Sequence, residues 1–356
     1  VGDDIVNTTN FTTGGGSLST MTNATEYQNL GAVTLGSDLA WDMEASLSTT
    51  SGDNLGAVSI ADGENNIVIN SITAITDTTN KYTKVLVSDD ILSGRMETST
   101  PLMTALQGTG VTGTYTAKYI VDSTDNQGYL VFDDGSRNLV SSARNEYGFE
   151  ADTRTYTLTG DESISYDIAH LGDTAYGTTS IGPMQGDSFT ISGAGYSIDG
   201  GNKGGMTIAS GQTFNIENVK EIKNFNGATG GFIQQNNGNL NISDTKFVDN
   251  SAIYGAVIRN MGIATITDSQ FNSNESAGNI INSNTGAQMT ITNSSFGDNF
   301  NSYDGYIGAG AITNQAGALL NVSDSSFREN SSNNYAGAIL NQDSGTIANI
   351  TDSLFN

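Results

Sequence analysis

Residues 240–250 read LNISDTKFVDN, and this pattern returns four times along the rest of the chain. The copies are ATITDSQFNSN at residues 264–274, MTITNSSFGDN at residues 289–299, LNVSDSSFREN at residues 320–330 and the shorter ANITDSLFN at residues 348–356. The aligned aromatic residues are spaced 24, 25, 31 and 28 residues apart: Phe247, Phe271, Phe296, Phe327 and Phe355. A period in this range, with inserts of variable length, is typical of a solenoid.

A second element recurs between the phenylalanines. It reads GFIQ, GAVI, GNII, GAIT and GAIL, beginning at Gly231, Gly255, Gly278, Gly310 and Gly337. Its apolar residues suffice for one short strand, and the Ile or Val five residues before each Phe suits a strand with one buried face. No segment between the elements is long enough for a helix, which excludes leucine-rich and ankyrin repeats. The best short helical candidate in the chain is residues 101–106.

Two or three short strands per repeat, joined by polar turns, predict an all-β fold, the parallel β-helix. Each coil of such a helix rises by about 4.8 Å, so equivalent residues stack above one another. We expect the five phenylalanines to form an interior aromatic column, and the repeating glycines to allow tight bends or close backbone approach. We also expect a ladder of stacked amides that satisfies turn backbone. It would consist of Asn250, Asn274, Asn299 and Asn330, each three residues after its Phe.

The first half of the chain is less regular. Residues 1–150 predict a β-rich region that closes a preceding β-helix, and residues 151–356 predict a second β-helix that is truncated in mid-repeat. Strands are expected in the first region at residues 32–35, 57–60, 67–69, 84–87, 115–121 and 129–132. The first coils of the second region are expected at residues 155–158, 188–191 and 206–208.

The alternating elements resemble a known repeat family. A Phe-x-x-Asn element (FVDN, FNSN, FGDN, FREN) that alternates with a Gly-Gly-Ala-Ile-like element (YGAV, AGNI, GAGAI, AGAI) is similar to the repeats of polymorphic outer-membrane proteins and related autotransporter passengers. The resemblance covers residues 214–356. It implies a right-handed β-helix displayed outside a bacterial cell and used for adhesion or self-association. Since the chain stops in mid-repeat, we expect it to be part of a longer chain.

Composition narrows the possible functions. The 356 residues include 38 acidic and 13 basic side chains, for a formal net charge of −25. This charge argues against nucleic acid and anionic membranes, because both require a basic face. No run approaches the ~18 apolar residues of a membrane helix, so we expect no membrane insertion by this segment. The absence of cysteine excludes disulfides, thiol catalysis and zinc–thiolate sites.

A polysaccharide-degrading enzyme must be considered, because parallel β-helices often host such activity. The candidate groups are turn residues that follow the repeating Phe, namely Asp249, Asp298, Asp304, Arg328 and Glu329. They occur mostly one per coil, so we interpret them as solvated turn residues and expect no catalytic residue. A carboxylate pair about 5 Å or about 7–9 Å apart in a groove would favour the enzyme.

Other polar and aromatic residues have simpler interpretations. His170, the single histidine, stands without a nucleophile motif, and Trp41, the single tryptophan, is expected to pack in a core. Residues 133–135 and 199–201 are turn sequences first, and either could hold calcium, because carboxylates and turn carbonyls suit that ion. No other cofactor is predicted.

Four tyrosines lie just before the glycine elements, and either ordinary surface packing or an aromatic strip that contacts glycan or protein would explain them. They are Tyr254, Tyr303, Tyr306 and Tyr335.

These observations predict an exported bacterial surface protein without catalytic machinery: an adhesin or self-associating rod on the cell surface or outside the cell, expected at a Gram-negative outer membrane. Its partners would be a second copy, or a glycan or protein on a host or neighbouring cell. Two alternatives stay open: a structural subunit of an extracellular filament joined end to end, and a polysaccharide lyase or hydrolase.

Overall fold

The structure is a computed structural model. It describes the strands that lie between residues 11 and 133 and, beyond them, residues 138–144, 151–164, 180–227, 230–276, 278, 280–302, 308–333 and 335–356. The chain divides into two compact units, Val1–Arg137 with His170–Gly172, and Asn138–Ala169 with Asp173–Asn356. The second unit contains the repeats and is called the solenoid here.

Three parallel sheets form the solenoid, which confirms the predicted β-helix. Sheet 1 contains Thr153–Thr157, Ser188–Ser192, Thr213–Glu217, Asn239–Ser243, Ile263–Thr267, Gln288–Thr292, Leu319–Ser323 and Ile347–Thr351. Sheet 2 contains Glu162–Ser163, Ser197–Asp199, Glu221–Lys223, Lys246–Val248, Gln270–Asn272, Ser295–Gly297, Ser326–Arg328 and Leu354–Phe355. Sheet 3 contains Ser180–Pro183, Gly204–Ile208, Ile233–Asn236, Ile258–Asn260, Ile280–Ser283, Ile312–Gln315 and Ile339–Asn341.

Each of the first seven coils adds one strand to each of the three sheets. The last coil adds a strand to sheets 1 and 2 only. Two further two-stranded pairs lie between sheets 2 and 3 along the chain, Asn226–Gly227 with Ser251–Ala252 and Phe300–Asn301 with Ser331–Ser332. The strands of sheet 1 pair in register, so that Ile242 lies beside Ile266 and Ile266 beside Ile291. Because every second residue of these strands faces inward, the register stacks apolar residues into continuous rows.

The repeating phenylalanines stack in sheet 2. Ring centroids of Phe247 and Phe271 are 4.9 Å apart, those of Phe271 and Phe296 are 4.9 Å apart, and those of Phe296 and Phe327 are 4.7 Å apart. These four side chains are fully buried, whereas Phe355 stacks on Phe327 at 4.8 Å with 45% of its surface exposed. In the earlier coils Ile198 and Ile222 occupy the same row.

A second aromatic group fills the core of the early coils. Phe189 and Phe214 are neighbours in sheet 1, with ring centroids 5.8 Å apart. Phe232 lies between this pair and the sheet 2 column, 6.3 Å from Phe214 and 5.9 Å from Phe247. It also packs edge-on against Phe225 at 4.9 Å. The aromatic core therefore passes from sheet 1 to sheet 2 near the fourth coil.

An asparagine ladder runs beside the aromatic column. The side-chain amide of Asn250 donates to the Oδ1 atom of Asn274 at 3.0 Å, Asn274 donates in the same way to Asn299 at 3.1 Å, and Asn299 to Asn330 at 2.8 Å. Each of these Oδ1 atoms also accepts the backbone N–H of the preceding asparagine, at 3.0–3.2 Å. The ladder thus satisfies turn amides that are buried in the solenoid.

A second asparagine ladder, which the sequence analysis did not predict, ends the strands of sheet 3. Its amide-to-Oδ1 distances are 2.7, 2.8, 2.7 and 2.7 Å along Asn236, Asn260, Asn282, Asn314 and Asn341. The first four side chains are completely buried. Each of their amides also donates to a backbone carbonyl oxygen of sheet 1 or of its approach at 2.9–3.0 Å. Two of the three corners of the solenoid, between sheets 2 and 3 and between sheets 3 and 1, are therefore held by stacked amides.

The glycine element brings adjacent coils into close contact. A Cβ atom built on Gly231 would lie 1.7 Å from the carbonyl oxygen of Ala256, one coil away. Gly255 adopts a φ of +59°, and a Cβ atom there would lie 2.5 Å from the carbonyl oxygen of Ile258. Only glycine fits at these two positions without a shift of the backbone.

A short helix, Leu139–Arg144, covers the first coil. Asn138 caps it, since its Oδ1 atom accepts the N–H of Ser141 at 2.9 Å. Arg154, which is the first residue of an inward row in sheet 1, donates to the carbonyl oxygens of Ser142 and Ala143 at 2.7 and 2.8 Å. Its guanidinium lies 5.0 Å from the ring centroid of Phe189. A cation at the helix C-terminus thus closes the end of the apolar core.

The described strands of the first unit form two sheets of mainly parallel strands and one antiparallel sheet. The first parallel sheet has the order Phe11–Thr13, Ala32–Leu35, Ala57–Ile60. The second has the order Gly16–Ser19, Leu39–Ser46, Ile67–Ala74, Met96–Thr98. In the second sheet, Ser51–Gly52 also pairs antiparallel with Leu39–Ser46. The antiparallel sheet has the order Met103–Thr104, Tyr115–Asp122, Gln127–Asp133, Tyr82–Ser88. Strands that alternate between two parallel sheets are expected of stacked coils.

One local prediction is wrong. Residues 101–106 were the best helical candidate, but Met103–Thr104 is a strand that pairs with Thr116 and Tyr115. The described helix is Leu139–Arg144, within the stretch predicted to be β-rich. Tertiary pairing overrides the weak helical preference of a short apolar run.

Replacing Phe271 with alanine should destabilise the solenoid by about 3–5 kcal/mol, because it opens a cavity between two stacked rings. The neighbouring Gln270→Ala change, at an exposed position, should cost no more than about 0.5 kcal/mol. Urea unfolding followed by circular dichroism measures both. Equal effects of the two variants would contradict a buried aromatic column.

Replacing Asn274 with alanine should cost about 2–4 kcal/mol, because it leaves buried polar groups of Asn250 without an acceptor. Asn241 provides the control, since its amide makes a similar 2.9 Å bond to Asn215 at the solvent-exposed face. Asn241→Ala should cost less than about 0.5 kcal/mol. If Asn274→Ala and Asn241→Ala have the same urea midpoint, the buried ladder contributes no more to stability than an exposed amide pair, which contradicts the prediction.

Candidate functional site: a polar corner groove

The turn between sheet 1 and sheet 2 has the same structure in successive coils. Its first residue is exposed and has a φ between 44° and 52°: Asn218, Asp244, Asp268, Asn293, Asp324 and Asp352. Asn and Asp tolerate this left-handed conformation better than most residues do, which explains their recurrence. We call this row the Asx column.

The residue that follows the Asx column is mostly a serine or threonine that joins adjacent coils. The hydroxyl of Ser269 donates to the carbonyl oxygen of Thr267 at 2.7 Å and accepts the N–H of Thr245 at 3.3 Å. Ser294 repeats this pattern, at 2.9 Å to the carbonyl oxygen of Thr292 and 3.2 Å from the N–H of Ser269. These hydroxyls are occupied within the protein, so the exposed Asx side chains are what the turn presents to solvent.

A shallow groove follows this corner. One depression of about 530 Å³ is lined by Asp268, Ser269, Gln270, Asn293, Ser294, Ser295, Asp324, Ser325, Ser326, Asp352 and Leu354. A second of about 300 Å³ is lined by Gly195, Asn218, Val219, Lys220, Asp244, Thr245, Lys246, Asp268 and Gln270. The two share Asp268 and Gln270, so they form one groove, called the corner groove here.

The charges of the corner groove change along its length. Its early part carries two lysines, Lys220 and Lys246, beside two aspartates, Asp244 and Asp268, whereas its later part carries only acidic charges. Beside the lysines, Glu221 accepts a 2.8 Å contact from the Nζ atom of Lys246 and lies 3.8 Å from that of Lys223. The hydrogen bond from Lys246 lowers the pKa of Glu221, and the charges of Lys246, Lys223 and Lys220 act in the same direction.

The acidic candidates lie at a different turn, the one after the repeating Phe. Asp249, Asp298 and Glu329 have φ values of 55°, 54° and 56°, and all three are exposed. Asp298 and Glu329 are equivalent residues of adjacent coils, whereas the coil between Asp249 and Asp298 carries Ser273. Each of these residues adopts the left-handed conformation at the turn, directly before an asparagine of the ladder. Asp304 lies outside the described residues.

The predicted tyrosine strip is only partly described. Tyr254 is half-buried in the fourth coil, Tyr335 is 49% exposed in the seventh, and Tyr303 and Tyr306 lie outside the described residues. Two coils separate Tyr254 from Tyr335, so these two do not adjoin. His170 and the side chain of Trp41 also lie outside the described part of the chain.

Of the two predicted turns that could hold calcium, one is described. Both carboxylate oxygens of Asp199 accept hydrogen bonds from protein donors, one from the N–H of Gly201 at 3.0 Å and the other from the amide of Asn224 at 2.9 Å. The described residues contain no cluster of three or more His, Asp or Glu side chains suited to a metal ion. Residues 134 and 135 of the other turn lie outside the described part.

Comparison with protein-family models, curated proteins and solved structures finds no match for this chain. No helix in the described residues is both long enough and apolar enough to cross a membrane.

Sequence reasoning missed the corner groove although its signal is visible. The strings ISDT, ITDS, ITNS and VSDS place Asp or Asn, followed by Ser or Thr, two residues after the repeating Ile or Val. A short polar residue at a fixed place in every repeat indicates a left-handed turn followed by a hydroxyl ladder.

Replacing Lys246 with methionine should raise the pKa of Glu221 towards its ordinary value of 4.5, because the main cause of the lowering is removed. The pKa of Glu221 is lower in the folded state than in the unfolded state. Glu221 therefore stabilises the fold at pH values above its unfolded-state pKa, and this stabilisation is lost as the pH falls through its folded-state pKa. For this partly exposed pair we expect less than about 1 kcal/mol. Carboxyl ¹³C NMR titration measures the shift.

Lys220→Met is the matched control, since Lys220 acts on Glu221 only as the weakest of the named charges. The two variants should therefore differ clearly in the pKa of Glu221. An unchanged Glu221 titration in Lys246→Met would show that the ion pair does not form in solution.

Proposed function

We propose that this chain forms a stiff rod that is exported to a bacterial cell surface and acts there as an adhesin or a self-associating element. The observation that carries the proposal is the uninterrupted register of eight strands in each of sheets 1 and 2. Such stacking produces an elongated, repetitive surface rather than a single enclosed pocket. A repeated surface suits weak contacts made many times over.

Stiffness follows from how neighbouring coils are joined. Backbone hydrogen bonds connect each coil to the next in three sheets, and two buried asparagine ladders and the phenylalanine column run through the interior. Each coil contacts chiefly its neighbours, as in other solenoids, so the load along the axis is shared by many bonds. These features support a role in holding or joining surfaces.

The lateral surface supplies the contacts. The corner groove carries both of its lysines in a part of mixed charge and is purely acidic in its later part. Two copies lying antiparallel could therefore place the lysines of one copy against the acidic part of the other. A glycan or protein on a neighbouring or host cell is the other partner that we propose. Placement at a Gram-negative outer surface rests on the repeat resemblance and on the absence of cysteine.

End-to-end assembly into a filament has less support. The helix Leu139–Arg144 covers the first coil, where Arg154 donates to its last carbonyl groups. A neighbouring copy would have to displace this helix to reach the edge of the first strands. The covered edge therefore weighs against strand addition at that end of the solenoid.

The test uses fluorescent beads coated with the chain, scored for bead–bead clustering and for attachment to bacterial and epithelial cells. We expect clustering or attachment, and a marked reduction for Asp268→Lys/Asp324→Lys in the corner groove. Asp249→Lys/Asp298→Lys is the control, because it makes the same charge change at exposed, left-handed positions of the other turn. It should leave clustering or attachment intact.

Dispersed beads that attach to no cell type would contradict the proposal. An equal loss of clustering or attachment in both double variants would show that net charge causes the effect and that the corner groove is not the contact surface. Sustained release of reducing or unsaturated sugar ends from a glycan panel would instead identify a polysaccharide-degrading enzyme.

A further inference from the structure

Each of the eight strands of sheet 1 presents three outward residues, and two of the three outward rows are regular arrays of short polar side chains. The remaining row is mixed: Thr153, Ser188, Thr213, Asn239, Ile263, Gln288, Leu319 and Ile347. The middle row contains only threonine and asparagine: Thr155, Thr190, Asn215, Asn241, Thr265, Thr290, Asn321 and Asn349. The next row is Thr157, Ser192, Glu217, Ser243, Thr267, Thr292, Ser323 and Thr351. All of these residues are exposed or partly exposed.

The charge of this face differs from that of the molecule. The chain has a formal net charge of −25, yet Glu217 is the one charged residue among the outward positions of the eight strands of sheet 1. Sheet 2, by contrast, carries Glu221, Lys223, Lys246 and Arg328. A neutral face on a charged rod is complementary to an uncharged ligand.

The array keeps one register along the whole of sheet 1. None of its seven strand pairings contains a shift, so each outward row continues from one coil to the next. Outward groups therefore recur about every 4.8 Å between strands and about every 6.6 Å along a strand. Pairs such as Thr265 with Thr267 and Thr290 with Thr292 place hydroxyl and methyl groups on this lattice.

Several of these side chains are fixed before any ligand arrives. The amide of Asn241 donates to Asn215 at 2.9 Å, and Asn215 donates to Thr190 at 3.0 Å. Asn349 donates to Asn321 at 2.9 Å. Threonine side chains are restricted at χ1 by their branching, so the face loses little conformational entropy when it orders water.

We propose that the outer face of sheet 1 binds ice. The water molecules of an ice surface form a flat, uncharged and periodic layer of donors and acceptors, with repeats of the same order as this array. Hydroxyl and amide groups can each donate to and accept from that layer, directly or through ordered water. No aromatic residue occupies an outward position in the eight strands, so the face lacks the rings on which sugars usually stack. This inference does not depend on the proposed adhesive function.

The experiment measures uptake of the fluorescently labelled chain into a slowly growing ice hemisphere, together with thermal hysteresis. The wild type should be enriched in the ice and should depress the freezing point below the melting point. Thr265→Lys/Thr290→Lys, which places two long charged side chains at the centre of the array, should lose both effects. Gln270→Lys/Ser295→Lys changes the same two coils on sheet 2 and should retain them.

Circular dichroism establishes that each variant folds. If the threonine variant does not fold, Asn321→Asp introduces charge at nearly constant volume, and it should also reduce uptake into ice. Exclusion of the wild type from ice would overturn the proposal, as would equal uptake by the sheet 1 and sheet 2 variants. Binding to microcrystalline cellulose without uptake into ice would overturn it in favour of a polysaccharide surface.

Discussion

Buried amides at the corners of each coil need hydrogen-bond partners, and the rest of this structure depends on how they obtain them. In each coil the chain changes direction between the three sheets, and the inner side of these corners is shielded from water. Stacked asparagines supply the acceptors: each Oδ1 atom receives both an amide and a backbone N–H from the coil before it. An unsatisfied buried group would cost about 1–3 kcal/mol at each turn, so a solenoid of this length needs such a solution in every coil.

This arrangement makes every coil dependent on its neighbours. The stacked phenylalanines of sheet 2 and the amides of sheet 3 have partners only when another coil lies against them. The first coil solves the same problem differently, because Arg154 occupies an inward position and binds the carbonyl end of a short helix. A regular interior in turn leaves regular rows outside, from which both the corner groove and the neutral face of sheet 1 arise.

The phenylalanine column and the first asparagine ladder could be predicted because both keep a fixed distance from the repeating Ile or Val. The second ladder could not, since its asparagine follows the repeating glycine by five residues at Asn236 and Asn260 but by four at Asn282. A shift in strand register between Ile233 and Asn236 accounts for part of this change in spacing. Arg154 gave no signal either, because a lone arginine among threonines reads as a surface residue until its burial is known. The corner groove was missed because its Asp and Asn residues were read as ordinary turn residues.

Native-state hydrogen exchange measured residue by residue tests the central claim most directly. The backbone N–H groups of Asn250, Asn274 and Asn299, which are bound to the ladder, should exchange only through unfolding of the solenoid, and far more slowly than the exposed turn at residues 284–286. Exchange of the three ladder amides at the rate of that turn would contradict the account, because the stacked side chains would then not hold the coils together.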